Sequence, residues 1–169
     1  MSKLYMLNYV SPIGEIEIWG TSEAVHSIMF SDQDVPLTKT MEEAPPRVLE
    51  KCASQLDEYF KGERYEFTLP YAFEGTDFQQ RVWNALVKVE YGETAAYKDI
   101  ALAIGNEKAI RAVGSANGKN KLSIVIPCHR IIGSNQKLTG YAGGLWRKEW
   151  LLQHEKRFSE SLRSFLQRS

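Results

Sequence analysis

The sequence predicts an α+β fold in two parts, and three observations carry that expectation. The first thirty residues read as three strands, and Glu15–Trp19 alternates polar and apolar, the pattern of an antiparallel sheet with one wet face. From Thr76 onward apolar residues recur at helical spacing in one stretch after another, so the second part is mostly helical and contains a helix-turn-helix. Charge divides along the same line: residues 1–75 hold 6 Lys and Arg against 13 Asp and Glu, net −7, and residues 76–169 hold 15 against 8, net +7. The expected division is an N-terminal α/β structural domain of residues 1–75 and a C-terminal domain of residues 76–169. The positive excess in the second suggests that it meets an anion; mutual attraction of the halves is the plainer reading of the same charges.

The elements follow in order. Leu4–Val10, Glu15–Trp19 and Val25–Phe30 read as strands, with Ser11-Pro12-Ile13-Gly14 as the first turn. Nothing in them carries chemistry, and His26 in the third strand reads as a structural residue. Asp32 to Ala44 is polar, contains Pro36 and reads as a loop. Pro45-Pro46 then opens a helix. Its apolar face is Val48, Leu49, Cys52, Leu56, Tyr59 and Phe60, so Cys52 belongs to the core, and Gly62 ends it. Tyr65–Leu69 reads as a further strand and Pro70 to Gly75 as the connection onward. Thr76-Asp77-Phe78-Gln79 fits a capping box. The helix it starts buries Phe78, Val82, Trp83, Leu86 and Val89 and stops by Gly92. Tyr97–Gly105 and Glu107–Lys119 read as two helices joined by the tight turn Gly105-Asn106. The second is rich in small residues, Ala109, Ala112, Gly114, Ser115, Ala116 and Gly118, which let a backbone approach a surface closely. Lys108, Arg111, Lys119 and Lys121 bring phosphate-attracting charge to the same region. A tightly packed helix with a solvated rim would show the same composition.

Ile124-Val125-Ile126-Pro127-Cys128-His129-Arg130-Ile131-Ile132 is the most informative stretch. Two apolar runs of strand type flank a thiol, an imidazole and a guanidinium. Such runs are usually buried, and buried charge needs a partner. An isolated Cys would read as core; beside His and Arg it reads as a reactive thiol. Gly133-Ser134-Asn135-Gln136 is a turn signal. Leu138 to Gly144 carries three glycines in five residues, Gly140, Gly143 and Gly144, marking a backbone of unusual angles or one that approaches a ligand. Leu145–Glu155 closes the fold as a helix. The tail from Lys156 to Ser169 adds an amphipathic turn through Leu162, Phe165 and Leu166.

Composition excludes several classes. No apolar run approaches the ~20 residues of a membrane span, and Met1-Ser2-Lys3-Leu4 carries no signal-peptide pattern. Two cysteines give no disulfide framework, so a reducing cytoplasm is the expected home. Cys and His are too few for a zinc cluster of recognisable spacing. No metal, cofactor or membrane partner is expected, and the chain is expected to be a monomer.

Pro127-Cys128-His129-Arg130, set between apolar residues, resembles the active-site signature of the O6-alkylguanine-DNA alkyltransferases, repair proteins that take an alkyl group from a damaged base onto their own cysteine. The resemblance runs from about Thr76 to Glu155. It includes Tyr91-Gly92-Glu93-Thr94, Ala109-Ile110-Arg111-Ala112-Val113-Gly114, Asn120, and Thr139-Gly140-Tyr141-Ala142-Gly143-Gly144-Leu145. Four motifs in one order make it specific; the first 75 residues match only in general layout. It implies a ribonuclease H-like arrangement for the N-terminal sheet and helix, and an active-site Cys in the helical domain.

The resemblance also implies roles. Cys128 is the nucleophile and methyl acceptor, with His129 acting on it through a water. Extended neighbours point to opposite sides, so direct contact of Cys128 and His129 needs a sharp turn. A glutamate orients the histidine in the family. Glu155 stands at the matching place, His154 beside it is the competing choice, and spacing does not separate them. Arg111 matches the finger residue that fills the gap left by the extruded nucleotide, with the second helix of the motif in the minor groove. Tyr97 matches the residue that helps rotate the nucleotide and protonates the guanine ring. Asn120 matches the hinge asparagine; Lys121 follows it where many relatives have proline, so a looser turn is expected. Lys98, Ala112, Gly114, Ser115, Asn117 and Arg130 are placed against DNA. Tyr141, Ala142, Gly143 and Pro127 are placed around the base; Ala142 stands where the animal enzyme has serine, leaving only the backbone N–H there. The implied partner is double-stranded DNA containing O6-alkylguanine, and O4-alkylthymine is a further expected lesion.

Three rivals predict different behaviour. A non-catalytic DNA-binding regulator has no need of Cys128. A cysteine hydrolase needs a His base remote in sequence and an oxyanion site, and adjacent Cys-His fits that poorly. A methylation sensor of the larger type carries a zinc-binding cysteine cluster absent from this sequence.

Overall fold

The computed structural model describes residues 3–31, 44–133, 135 and 138–167, with side chains described as far as residue 160. Nearly all of the loop expected from Asp32 to Ala44, and Ser134 and Gln136 of the expected turn, lie outside these residues. The chain forms two compact units. One comprises Met1–Glu74 with Lys121–Ser123, the other Gly75–Asn120 with Ile124–Ser169.

In the first unit β1 (Tyr5–Ser11), β2 (Gly14–Gly20) and β3 (Val25–Phe30) form an antiparallel sheet in that order. Tyr9 pairs with Ile16, and Ile18 with Ile28. Ile16, Ile18 and Ile28 are fully buried. The opposite face of β2 is drier than alternation predicts: Glu17 is buried and accepts a hydrogen bond from Trp19 Nε1 at 3.1 Å. α1 (Arg47–Phe60) covers the sheet with Leu49, Cys52, Leu56, Tyr59 and Phe60. Pro46 is its N-cap, just ahead of the first turn, and Gly62 (φ 77°) follows its last residues.

The strand expected at Tyr65–Leu69 does not form. The Gln55 side chain holds the Thr68 backbone instead: Oε1 accepts from the Thr68 N–H at 2.9 Å, and Nε2 donates to the Thr68 carbonyl at 3.4 Å and to Oγ1 at 2.9 Å. Sheet pairing begins later, through isolated parallel bridges on the second edge of β3: Val25 with Tyr71 and Ile28 with Leu122.

In the second unit α2 (Asp77–Leu86) starts at the capping box of Thr76 and Gln79. It ends at Leu86, well before Gly92. β4 (Ala95–Ala96) leads directly into α3 (Tyr97–Ala103), and Gly105 (φ 76°) turns the chain toward α4 (Ile110–Gly118). Residues 107–109 form turn rather than helix, so α4 starts later than expected. Trp83 of α2 donates Nε1–H to the Ala116 carbonyl at 2.9 Å, fixing α4 against α2.

Ile124–Ile126 also departs from expectation. It is a turn, with buried Ile124 at φ 73°. A β-branched residue in the left-handed region carries strain of about 1–3 kcal/mol, and the strained bend sits just ahead of Pro127-Cys128. A single 3₁₀ turn then spans Cys128–Arg130. β5 (Ile131–Ile132) follows and pairs in parallel with β4. That short ladder sets the N-terminus of α3 beside the end of the cysteine turn. α5 (Leu145–Gln167) runs on through most of the tail expected to form a separate turn. Among the described residues no helix is long and apolar enough to cross a membrane.

Candidate active site

The 3₁₀ turn decides what surrounds the thiol. Cys128 is 5% exposed, and its N–H donates to the Ile126 carbonyl at 2.7 Å. Asn120 Nδ2 donates both to Ile126 O (2.9 Å) and to Cys128 Sγ (3.2 Å). One buried amide therefore closes the bend and offers the sulfur a donor. Burial pushes the thiol up from its usual range, while the Asn120 hydrogen bond and the Lys148 charge pull it down; burial is the larger effect. The resting thiol is therefore protonated, and a base is needed to make it a nucleophile.

His129 supplies one. It is fully buried, and its Nε2 lies 2.6 Å from Glu155 Oε2. Arg130 holds the same carboxylate from Nε (2.8 Å, Oε1) and Nη2 (3.1 Å, Oε2), and the Gly92 N–H reaches Oε1 at 3.3 Å. Despite burial, His129 and Arg130 hold Glu155 well below the usual carboxylate range. Ionised Glu155 accepts the Nε2–H and fixes the tautomer that leaves Nδ1 as acceptor. Nδ1 is buried without a protein hydrogen-bond partner. Burial lowers the His129 pKa, so the ring is neutral and able to take a proton. His154 is occupied otherwise, stacked on Trp150 at 4.8 Å between centroids. Cys52 contrasts with Cys128: burial alone pushes it to about 12, the state of an inert core thiol.

Lys148 was not singled out by the sequence reading. It is fully buried, and desolvation lowers its pKa to about 8, opposed by its attraction to Cys128. Its Nζ donates to the Thr139 carbonyl at 3.0 Å. Next to it, Arg147 Nη1 donates to the Gly143 carbonyl at 3.0 Å. The first turn of α5 therefore grips the glycine-bearing loop at both ends. The signal in the sequence was its spacing: Lys148, Leu151 and Glu155 fall on one helix face, and all three are buried.

The other predicted residues divide between two settings. Tyr97, first in α3, bonds Thr139 Oγ1 through its hydroxyl at 2.5 Å. Tyr141 is half-buried, Ala142 exposed, and Gly143 and Pro127 buried. On α4, Arg111, Ala112 and Ser115 are exposed and Gly114 partly so; Lys98 on α3 is exposed. The small residues thus lie largely on an open face, against the reading of a helix packed all round. Two residues placed against DNA above are not available to it. Arg130 is 6% exposed, engaged by Glu155 and by the Val89 carbonyl (2.7 Å), and lies over the Tyr91 ring. Asn117 is 4% exposed and points Nδ2 at the Cys128 carbonyl, 3.4 Å away.

Residues 77–157 match the family description "6-O-methylguanine DNA methyltransferase, DNA binding domain", and residues 4–73 match its "ribonuclease-like domain". A methylated-DNA–protein-cysteine methyltransferase of Mycobacterium tuberculosis is 44% identical over 146 residues, covering 86% of this chain and 88% of the relative. The crystal structure of the M. tuberculosis O6-methylguanine methyltransferase superposes with a TM-score of 0.83 at 42% identity, over 92% of this chain and 94% of that one. The same enzyme solved with DNA gives 0.81 at 42% identity, over 92% and 93%. By both halves of its sequence and by its fold, the chain belongs to the 6-O-methylguanine DNA methyltransferase family.

Proposed function

We propose that this chain repairs DNA by moving the alkyl group of O6-alkylguanine, and also of O4-alkylthymine, irreversibly onto Cys128. The observation that carries the assignment is the buried set of Cys128 Sγ, Asn120 Nδ2, neutral His129 and ionised Glu155. A thiol inside a protein reaches a base atom only if the nucleotide leaves the stack, at a cost of a few kcal/mol. The exposed face of α4 enters the minor groove. Ala112, Gly114 and Ser115 permit close approach, Arg111 fills the gap, and Lys98 meets phosphate. Pro127, Tyr141, Ala142 and Gly143 enclose the base.

His129 Nδ1 accepts the thiol proton through a bridging water. The thiolate attacks the O6-alkyl carbon in line, forming S–C as C–O breaks. Tyr97 gives its proton to the ring, so guanine leaves neutral. Asn120 steadies the sulfur throughout, and Arg130 and Asn117 support the turn from behind. The thioether has no good leaving group, so each molecule acts once. Residues 76–169 form the DNA-binding and acceptor domain. Residues 1–75 form a structural domain on which the stability of the whole chain depends. A monomer in the reducing cytoplasm keeps the thiol available.

The test is mass spectrometry after exposure to duplex containing O6-methylguanine. One methyl on the Cys128 peptide is expected, with none on Cys128→Ser and no more than one per chain at excess substrate. Multiple turnovers, or full repair by Cys128→Ser, would reject the assignment.

A further inference from the structure

Two hydroxyls 2.5 Å apart form one hydrogen bond, in which either can donate. Tyr97 and Thr139 form such a pair across 42 residues, one at the start of α3 and the other at the base of the glycine loop. The position of Thr139 is fixed independently, because its carbonyl accepts from the buried Lys148 Nζ at 3.0 Å. Its hydroxyl is thus held on a backbone anchored to α5, and the phenol meets it there. If Tyr97 donated to Thr139, its own proton would be committed and could not reach a substrate. If Thr139 donates, the Tyr97 proton is free and the phenol oxygen gains a donor that strengthens as negative charge develops on it.

We propose that Thr139 is a positioning residue for the alkyl transfer: its hydroxyl donates to Tyr97, aims the phenol proton at the flipped base and steadies the phenolate left when that proton departs. This rests on Tyr97 acting as the acid. The balance is complete without a further reagent. The thiolate forms S–C, and the C–O6 pair moves into the purine. The Tyr97 proton moves to a ring nitrogen, and the phenolate, bonded by Thr139, recovers a proton from water. A hydrogen bond to a charged group contributes roughly 1.5–3 kcal/mol. Its loss therefore slows the step about ten- to a hundredfold.

The choice of electrophile separates this role from a general one. Iodoacetamide alkylates Cys128 with iodide as leaving group, which needs no proton. O6-methylguanine needs one. Thr139→Val keeps the shape and removes the hydroxyl. It is expected to slow single-turnover methyl transfer from duplex DNA by about tenfold or more. Iodoacetamide alkylation and DNA affinity should stay at the parent's level. Thr139→Ser should restore transfer. In a Tyr97→Phe background, Thr139→Val should add no further loss.

Equal slowing with both electrophiles, full loss on top of Tyr97→Phe, or parental transfer by Thr139→Val would each overturn the proposal. Failure of the parent protein to accept methyl from DNA would instead reject the alkyltransferase reading, so the two failures are distinguishable.

Discussion

Glu155 gathers donors from two parts of the chain onto one buried carboxylate: the neighbours His129 and Arg130, and the Gly92 N–H. Removing one member of a buried ion pair typically costs on the order of 3–5 kcal/mol, because the other charge is stranded. Glu155→Gln should show a loss of that size in urea unfolding at pH 7. The pH dependence has a definite sign. Glu155 is held below its ordinary 4.5 in the folded state, and His129 below its ordinary 6.5. In both cases the unfolded chain binds more protons, so stability falls as pH drops, first below about 6.5 and again below about 4.5. Urea midpoints from pH 8 to 3 should decline in that way for the parent, and Glu155→Gln should keep the first fall and lose the second. A rising profile toward acid would contradict the arrangement. Lys148 makes a second prediction at this scale. Its charge pulls the Cys128 thiol down, so Lys148→Met should move iodoacetamide alkylation of Cys128 to higher pH and slow it several-fold at pH 7. An unmoved profile would show that the amine does not act on the sulfur.

At the scale of elements, α4 combines an exposed face of small residues with the middle-of-helix Gly114. A Cβ there would meet only the Tyr97 ring at 3.7 Å, an ordinary contact. Nothing in the protein requires glycine at this position, and Ala is better in a helix by about 0.5–1 kcal/mol. Gly114→Ala is therefore expected to raise thermal stability while weakening binding to duplex DNA. Higher affinity, or no change in it, would argue against α4 as the groove-facing helix. Much of the element level was legible in the sequence, and physics explains the exceptions. The alternation in β2, the stripe of α1 and the capping box at Thr76 are local signals and predict their elements well. Tyr65–Leu69 and Ile124–Ile126 have strand composition, yet neither is a strand. A remote side chain, Gln55, takes the backbone of the first. The second bends because Asn120 bonds Ile126 and Cys128 together. Within the site, the Cys-His-Arg cluster stood out because its chemistry is unusual beside apolar runs. Lys148 did not, since a lysine in a helix reads as surface until its neighbours are known. Arg130, which the resemblance placed against DNA, is held instead by Glu155, the partner that a buried charge needs.

For the whole molecule, the three residues Lys121–Ser123 bear most on what the N-terminal unit does. They belong to that unit although they lie in sequence between Asn120, which bonds the thiol, and Ile124, which carries the strained φ. Ile28 N–H donates to Lys121 O at 2.8 Å, Ser123 N–H donates to Ile28 O at 3.2 Å, and Leu122 is fully buried. A fragment of residues 76–169 would keep Cys128, His129 and Glu155 but lose both backbone bonds and the cover over Leu122. Two hydrogen bonds at roughly 1 kcal/mol each and one leucine at about 2 kcal/mol make a tether of about 4 kcal/mol. That is enough to hold an αL isoleucine strained by about 1–3 kcal/mol. Released from it, Ile124 should relax toward extended backbone, carrying the Asn120–Cys128 contact apart. The fragment should therefore melt lower than the intact chain, and at temperatures where it remains folded its Cys128 should accept methyl from DNA more slowly. Measured by circular dichroism and single-turnover transfer, equal stability and equal rate would mean that the N-terminal unit neither braces the thiol nor sets its geometry.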